Sequence, residues 1–317
     1  MNTIINTTKS LALAACILIG FAACNRDEIY KKEMYKKVVY LLSDNNQIYT
    51  EVYTLNEDEP VKYLSVGCGG SLPNEEEIVI TLEADTVLLK KYNKTNFDID
   101  SAAFAKLLPE NHYQIPSMTV SMPAQSPDQY VKLPIKVRPE GLSPDTTYFV
   151  PLAIKSVSKY EINPEKYNVL YQVVIENDYA EQKTRTYYHM KGTSVNEGST
   201  RETVIAGTKP IQPLTKSRSR VFAGGNLQTT TSSLNDILKN SIVLNVNSDR
   251  SISILPYSTI DVVQLYHPNY NKYSIEGKER YFYLYYRYRT LNRAATESAP
   301  AEWSAWTTVK ETLRRLQ

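Results

Sequence analysis

The segment Tyr281–Arg289, reading YFYLYYRYR, constrains the fold more than any other stretch of the chain. Successive side chains of a strand point to opposite faces, so a strand is read by splitting its residues by parity. Here Phe282, Leu284, Tyr286 and Tyr288 fall on one face, and Tyr281, Tyr283, Tyr285, Arg287 and Arg289 on the other. The first face is the better core candidate. The second is an amphipathic ladder of rings and guanidinium groups. Composition agrees with the strand: 25 Tyr stand against 6 Phe and 2 Trp, and Gly is scarce at 11. Tyrosine favours strands and half-wet surfaces, because its ring packs while its hydroxyl stays hydrated. With short alternating segments throughout, the chain reads as all-β.

Residues 37–176 carry a series of such segments, at 37–42, 47–54, 61–66, 77–82, 117–122, 130–137, 147–157 and 168–176. That number of short strands separated by turn signals predicts an N-terminal immunoglobulin-like β-sandwich. Gly67-Cys-Gly-Gly70 reads as a flexible turn after the third strand. Two helical pieces are expected, over 85–93 and 100–108, the second capped by Asp100 or Ser101 and stopped by Pro109. Residues 177–185, charged and turn-rich, read as the linker to a second domain over 186–317. That domain opens with a strand over 186–192 ending in glycine, and 193–233 has few apolar positions, which predicts short strands and long loops. A helical turn over 234–238, a hairpin over 241–255, and strands over 262–266, 281–289 and 303–313 complete it. An antiparallel β-barrel and a second β-sandwich fit this pattern equally.

The first residues carry an address. Lys9 precedes an apolar run of 13 residues from Leu11 to Ala23, too short for a membrane span of about 20 residues and of signal-peptide length. Phe21-Ala22-Ala23-Cys24 resembles the bacterial lipoprotein signal, which implies removal of residues 1–23 and a diacylglyceryl group on the Cys24 thiol. More than one acyl chain gives stable anchoring. Residues 24–36 then form a lipidated tether, and the acids at Asp27 and Glu28 resemble the export tag of lipoproteins on the outer face of the Bacteroidetes outer membrane. Cys16 leaves with the signal and Cys24 is lipidated, so Cys68 is alone and no intrachain disulfide forms. A formal charge of +2, from 36 basic and 34 acidic residues, argues against a nucleic-acid surface.

A family resemblance joins these features. Leu107-Leu-Pro-Glu-Asn-His-Tyr113, Ile115-Pro116, the strand to Val137 and Tyr148-Phe-Val-Pro-Leu152 resemble the N-terminal domain of a Bacteroidetes two-domain lipoprotein family of unknown function. Met118 stands where that family usually has glycine. Tyr266, Tyr270 and Tyr273, the Phe-x-Leu-x-Tyr strand, and Trp306 with Glu311 and Leu313 resemble its C-terminal domain. The resemblance implies an immunoglobulin-like sandwich, a place in polysaccharide-utilisation operons beside an outer-membrane glycan importer, and no catalytic residue.

The residues themselves point away from catalysis. A glycosidase needs two carboxylates held across the sugar, and none of the 34 acids sits in a recognisable constellation. His112, His189 and His267 lack metal-ligand spacing, Cys68 has no local partner base, and Gly67–Gly70 lacks the Gly-Lys-Ser/Thr of a phosphate loop. We therefore expect no enzyme and no cofactor. Sugar binding asks instead for a few exposed rings with polar neighbours. Tyr266, Tyr270 and Tyr273, interleaved with Asn269 and Asn271, have that composition, and Trp303 and Trp306 lie close in sequence to the ladder. These five rings form the expected glycan site, each with core packing as its competing role. The expected function is a non-catalytic, accessory glycan-binding surface lipoprotein; the alternative is a structural or adhesive protein of fimbrial type.

Overall fold

The computed structural model describes residues 32–182, 186–229, 233–296 and 299–315. The expected signal segment, Cys24 and most of the tether lie outside the described residues. The chain folds as two β domains.

In the first domain, β1 (Val38–Leu41), β3 (Val61–Cys68), β6 (Tyr113–Gln114), β8 (Tyr130–Val137) and β10 (Glu161–Ile162) form one sheet, in the order β10-β1-β3-β8-β6. The facing sheet runs β2-β11-β9-β4-β7, built from β2 (Ile48–Thr54), β4 (Ile78–Ala84), β7 (Thr119–Met122), β9 (Tyr148–Val157) and β11 (Asn168–Glu176). A two-residue β5 (Lys106–Leu107) lies parallel to β9. Alternate residues of the two sheets meet in one core, with Leu41, Leu64 and Ile135 facing Ile80, Leu152 and Tyr171, all fully buried. The tyrosines take part in it. Tyr53 and Tyr171 share a hydroxyl–hydroxyl bond of 2.6 Å, and Tyr53 also donates to Ile135 O at 3.1 Å, so the rings are buried without orphaning their polar ends.

Several expectations are corrected here. Gly67 and Cys68 are not a turn but the end of β3. The Tyr40 ring lies over Gly67, where a Cβ would come within 2.6 Å of it. Helix α1 (Thr86–Phe97) is present, with Asp85 accepting from Val87 N at 3.0 Å, but 100–108 is not a helix. Only Ser101–Ala103 makes a 3₁₀ turn. The Asn93 side chain brackets the Ala105 backbone with two bonds of 2.9 Å, and Lys106 and Leu107 are drawn onto β9. Tertiary hydrogen bonds outweigh the local helix signals.

The tether is not free up to its end. The Glu33 carboxylate accepts from Ser71 N (2.7 Å), Leu72 N (3.1 Å) and Tyr35 N (3.1 Å), and the bond from Ser71 N leads the effects that hold its pKa down at about 2.

The second domain is a nearly closed barrel. Its strands are β12 (Thr186–Asn196), β13 (Thr203–Pro213), β14 (Arg218–Phe222), β15 (Ser241–Val246), β16 (Ile252–Pro256), β17 (Ile260–Gln264), β18 (Lys272–Glu276), β19 (Glu279–Arg293), β20 (Glu302–Trp303) and β21 (Thr307–Arg315). They run β16-β15-β14-β13-β12-β21-β19-β17, with β18 and β20 also on β19. The two ends of this order meet where Ile254 N of β16 donates to Gln264 Oε1 of β17, and beside them Ile252 N donates to Asn271 O and Tyr273 N to Arg250 O at the entry of β18, all at 2.8 Å. Helix α2 (Leu234–Asn240) carries a capping box between Ser233 and Asp236. The long strand β13 lies inside 193–233, where short strands and long loops were expected, and β12 runs past Gly192, where the strand was expected to end. A Cβ at Gly192 would meet Lys310 O at 2.2 Å, so glycine permits the close approach of β21. The expected strand over 303–313 is two strands, with a break at 304–306.

What hid β13 from its composition is a buried polar network. Lys209 (0% exposed) contacts Glu311 (1%) at 2.7 Å; the other Glu311 oxygen accepts from the Tyr286 hydroxyl at 2.7 Å, which in turn accepts from Gly224 N. Burial pulls the Lys209 pKa down, and the Glu311 carboxylate opposes it. Around this network Tyr188, Ile211, Leu244, Phe282, Leu284 and Leu313 fill the interior. A barrel of about this strand number is just wide enough for its side chains.

Residues 177–182 of the expected linker are packed against the protein. Ala180 is buried in the barrel core, and Asn177 Nδ2 donates to Thr215 O (2.7 Å) and Arg218 O (3.0 Å). Arg220 of β14, fully buried, makes a bidentate pair with Asp145 of the sandwich, and its guanidinium lies 5.0 Å from the Tyr257 ring. Gln182 donates to Pro144 O (2.9 Å) and Thr146 O (3.2 Å) on either side of that aspartate.

The Lys209–Glu311 pair gives a stability test. Lys209→Met leaves a buried carboxylate without its cation and is expected to cost about 3–5 kcal/mol, most of it recovered when Glu311→Leu is added. Denaturant unfolding midpoints check both; a single variant as stable as the parent contradicts the pairing.

Candidate functional site

With the barrel interior filled, the chemistry of the second domain faces outward, and β19 organises it. Phe282, Leu284 and Tyr286 are fully buried in the barrel. Their neighbours of opposite parity, Tyr281, Tyr283, Tyr285, Arg287 and Arg289, line the outer face beside the outward residues of β21, Lys310 among them.

Two excursions of the chain lay further rings on this face. The first is the loop between β17 and β18, which share one edge of β19. Asn271, with φ +55°, fills the gap in the ladder: its Oδ1 accepts from Tyr285 N at 2.9 Å and its Nδ2 donates to Leu265 O at 2.7 Å. Asparagine tolerates that backbone region better than most residues. The anchored loop sets Tyr270 edge-on to Tyr283 and Tyr285, both at 6.3 Å between centroids, with His267 against Tyr270 at 4.9 Å and Tyr285 at 6.0 Å. The second excursion is the break between β20 and β21. Ser304 bonds Thr290 through its backbone N–H and its hydroxyl, both at 2.9 Å, and Glu197 accepts from Trp306 N. Trp306 thereby covers Arg287 at 4.5 Å and Arg289 at 4.6 Å, and Trp303 lies 4.9 Å from Arg289.

The result is a row of rings and cations along one face, two contact groups set side by side on successive outward positions of β19, Tyr285 and Arg287. Lys310 Nζ sits 5.3 Å from both the Tyr270 and Tyr285 rings, and Lys272 lies 5.7 Å from Tyr283. Each exposed cation–π contact of this kind is worth about 0.5–1 kcal/mol, which biases a long side chain toward the ring, and several together favour this arrangement. At one end Tyr281 and Tyr283 stack at 5.8 Å with 16° between planes. The Tyr283 hydroxyl, pushed up to about 12 by desolvation and its bond to Glu276 at 3.0 Å, stays protonated as a donor. At the other end Arg289 is tied to Asp261 at 2.8 Å.

The sequence-expected rings therefore divide. Tyr270, Trp303 and Trp306 are half-buried members of the row. Tyr266 projects from the loop, 91% exposed. Tyr273 is a correction: at 7% exposure it is a core residue, packed 5.0 Å from Phe282 and 5.1 Å from Tyr179, because it sits opposite inward-facing Phe282 in the register of β18. Cys24 lies outside the described residues. His267 and Lys310 belong to the row and were missed; the parity of β21 alone would have pointed to Lys310. Among the described residues no group of His, Cys, Asp and Glu is arranged to hold a metal. On the sandwich, a surface hollow is lined by Glu59, His112, Arg138 and Glu140. Glu59 is paired there with Lys136 (2.7 Å) and Arg138 (2.6 Å), bonds that lower its pKa, which suits a structural carboxylate and not a general acid.

Two family models match the chain, one describing an N-terminal domain over residues 30–161 and one a C-terminal domain over 167–314. Similar solved structures include two proteins of unknown function from Bacteroides ovatus. One is 16% identical, covers 88% of this chain and 94% of its own length, and superposes with a TM-score of 0.65. The other is 14% identical, covers 91% and 93%, and has a TM-score of 0.61. An auxiliary nutrient binding protein from Bacteroides thetaiotaomicron is 13% identical, covers 86% and 92%, and has a TM-score of 0.59. At such identities the likeness is one of fold. No curated protein matches the sequence. Sandwich and barrel together, the chain belongs to the two-domain family that these N-terminal and C-terminal models describe.

Proposed function

We propose that this protein is a non-catalytic, accessory glycan-binding lipoprotein of an outer-membrane polysaccharide-utilisation system, with the outer face of β19 as its sugar-contacting surface. The observation that carries the reading is the row of fixed, half-exposed rings from Trp303 and Trp306 to Tyr270, Tyr285 and Tyr283, bordered by donors and carboxylates. Sugar C–H faces pack on such rings while rim groups take the hydroxyls. Rings already held by cations and hydrogen bonds lose little freedom on binding. The solved relative of the same fold that is an auxiliary nutrient binding protein supports a binding role. The sandwich, locked to the barrel through Arg220 and Asp145, serves as a spacer. Its core is closed by its own strands, so the adhesive alternative gains no specific support.

Trp306→Ala is expected to weaken retention on the cognate polysaccharide about tenfold or more, as for a central aromatic anchor, and Tyr266→Ala to weaken it less, since its ring is not held in advance. Affinity electrophoresis reads both; unchanged retention for Trp306→Ala with Tyr285→Ala contradicts the surface assignment. Asn271→Gly keeps the backbone conformation while removing the side chain that holds the loop. It leaves Tyr285 N unpaired, is expected to cost about 1–3 kcal/mol of stability, and should weaken glycan retention along with it. A denaturation curve and a retention assay on the same variant check this. The anchor at Cys24 has its own test: fatty-acid labelling of the membrane-bound protein should disappear in Cys24→Ser, and labelling that persists contradicts it.

A further inference from the structure

Cations and carboxylates are unevenly paired along the row. Arg289 is neutralised by Asp261 at 2.8 Å. Glu276 accepts from the Tyr283 hydroxyl, and Glu279 from the Tyr281 hydroxyl and from Arg314 at 3.4 Å. Arg287 and Lys310, at the centre, have no carboxylate within ion-pair distance among the described residues. They lie instead against ring faces: Trp306 at 4.5 Å for Arg287, and Tyr270 and Tyr285 at 5.3 Å for Lys310. Lys310 pairs with Tyr285 in the ladder and Arg287 lies two residues beyond Tyr285, so the two cations are diagonal neighbours, with backbones about 7–8 Å apart. The whole chain is nearly neutral, with 36 basic and 34 acidic residues, so this central excess is local.

A ring face steadies a cation but leaves its N–H donors unsatisfied toward solvent, and a guanidinium fork matches the two oxygens of a carboxylate or sulfate. A neutral sugar lying on these rings would displace water from Arg287 and Lys310 without replacing their counter-charge. A saccharide with acidic groups supplies both contacts at once.

We propose that the ligand of this surface is an acidic glycan, whose uronate carboxylates or sulfate esters meet Arg287 and Lys310 while its sugar faces lie on Trp306, Trp303, Tyr270 and Tyr285. This rests on the outer face of β19 being the glycan-contacting surface.

Calorimetry on the intact protein tests it, with polygalacturonate, alginate and chondroitin sulfate beside neutral dextran, mannan and starch, and with carboxyl-reduced and desulfated counterparts of the acidic polymers. At least one acidic polymer should bind, and its neutralised counterpart at least about tenfold more weakly. Raising salt from about 0.1 M to about 1 M, which shortens the screening length from about 10 Å to about 3 Å, should reduce binding by at least about tenfold. Arg287→Gln with Lys310→Gln should abolish the preference, and Arg287→Lys should keep part of it. A neutral polymer that binds independently of salt, and is lost in Trp306→Ala, overturns the acidic ligand while leaving the contact surface intact. Acidic binding that survives the double substitution overturns the assignment to these two cations. No binding to any polymer removes the glycan surface and this inference together.

Discussion

The filled interior of the barrel is the constraint on which the rest of the second domain depends. Strand β19 touches β17, β18, β20 and β21, so nearly every outer feature takes its position from it. Its inward residues are committed to a core that includes the buried Lys209–Glu311–Tyr286 network. A slip of one residue would exchange the faces, bringing guanidinium groups into the core and Phe282 and Leu284 into water. The buried network makes that slip costly from a second side, because it would carry the Tyr286 hydroxyl away from the buried Glu311 carboxylate it donates to. The tyrosines left outside are thus outside by necessity of register.

That much was legible in the sequence. Parity over 281–289 separates core from ladder without further information, and the sandwich strands at 130–137 and 168–176 coincide with β8 and β11. What local patterns missed was decided by distant partners. Residues 203–213 look too polar for a long internal strand until Lys209 finds Glu311, 102 residues away. Residues 100–108 carry good helix-start and helix-stop signals, yet Asn93 and β9 claim their backbone. Tyr270 and Tyr273 are indistinguishable by composition. One lies on the surface and the other in the core, because Asn271 between them bonds Tyr285 and fixes where the loop ends and β18 begins.

The two domains are coupled by polar contacts at few points. Arg220, buried and bidentate to Asp145, occupies the junction together with Gln182 and Asn177, while Asp178 O accepts from Arg280 at 2.6 Å. Breaking such a pair strands a buried charge, which makes the junction stiff. Glu33 clips the start of the described chain to the sandwich by backbone bonds at Ser71 and Leu72. Under the anchoring proposed at Cys24, only a short segment of sequence separates the anchor from Glu33.

The central claim is that ligand meets the outer face of β19. Trp303 and Trp306 are the 2 tryptophans of the whole chain, and both stand on that face. Tryptophan emission therefore reports this surface alone. Titration with a bound polysaccharide should give a saturable change in emission that follows the calorimetric isotherm. A polysaccharide that binds by calorimetry while the emission of both tryptophans stays unchanged would place the binding surface elsewhere and contradict the account.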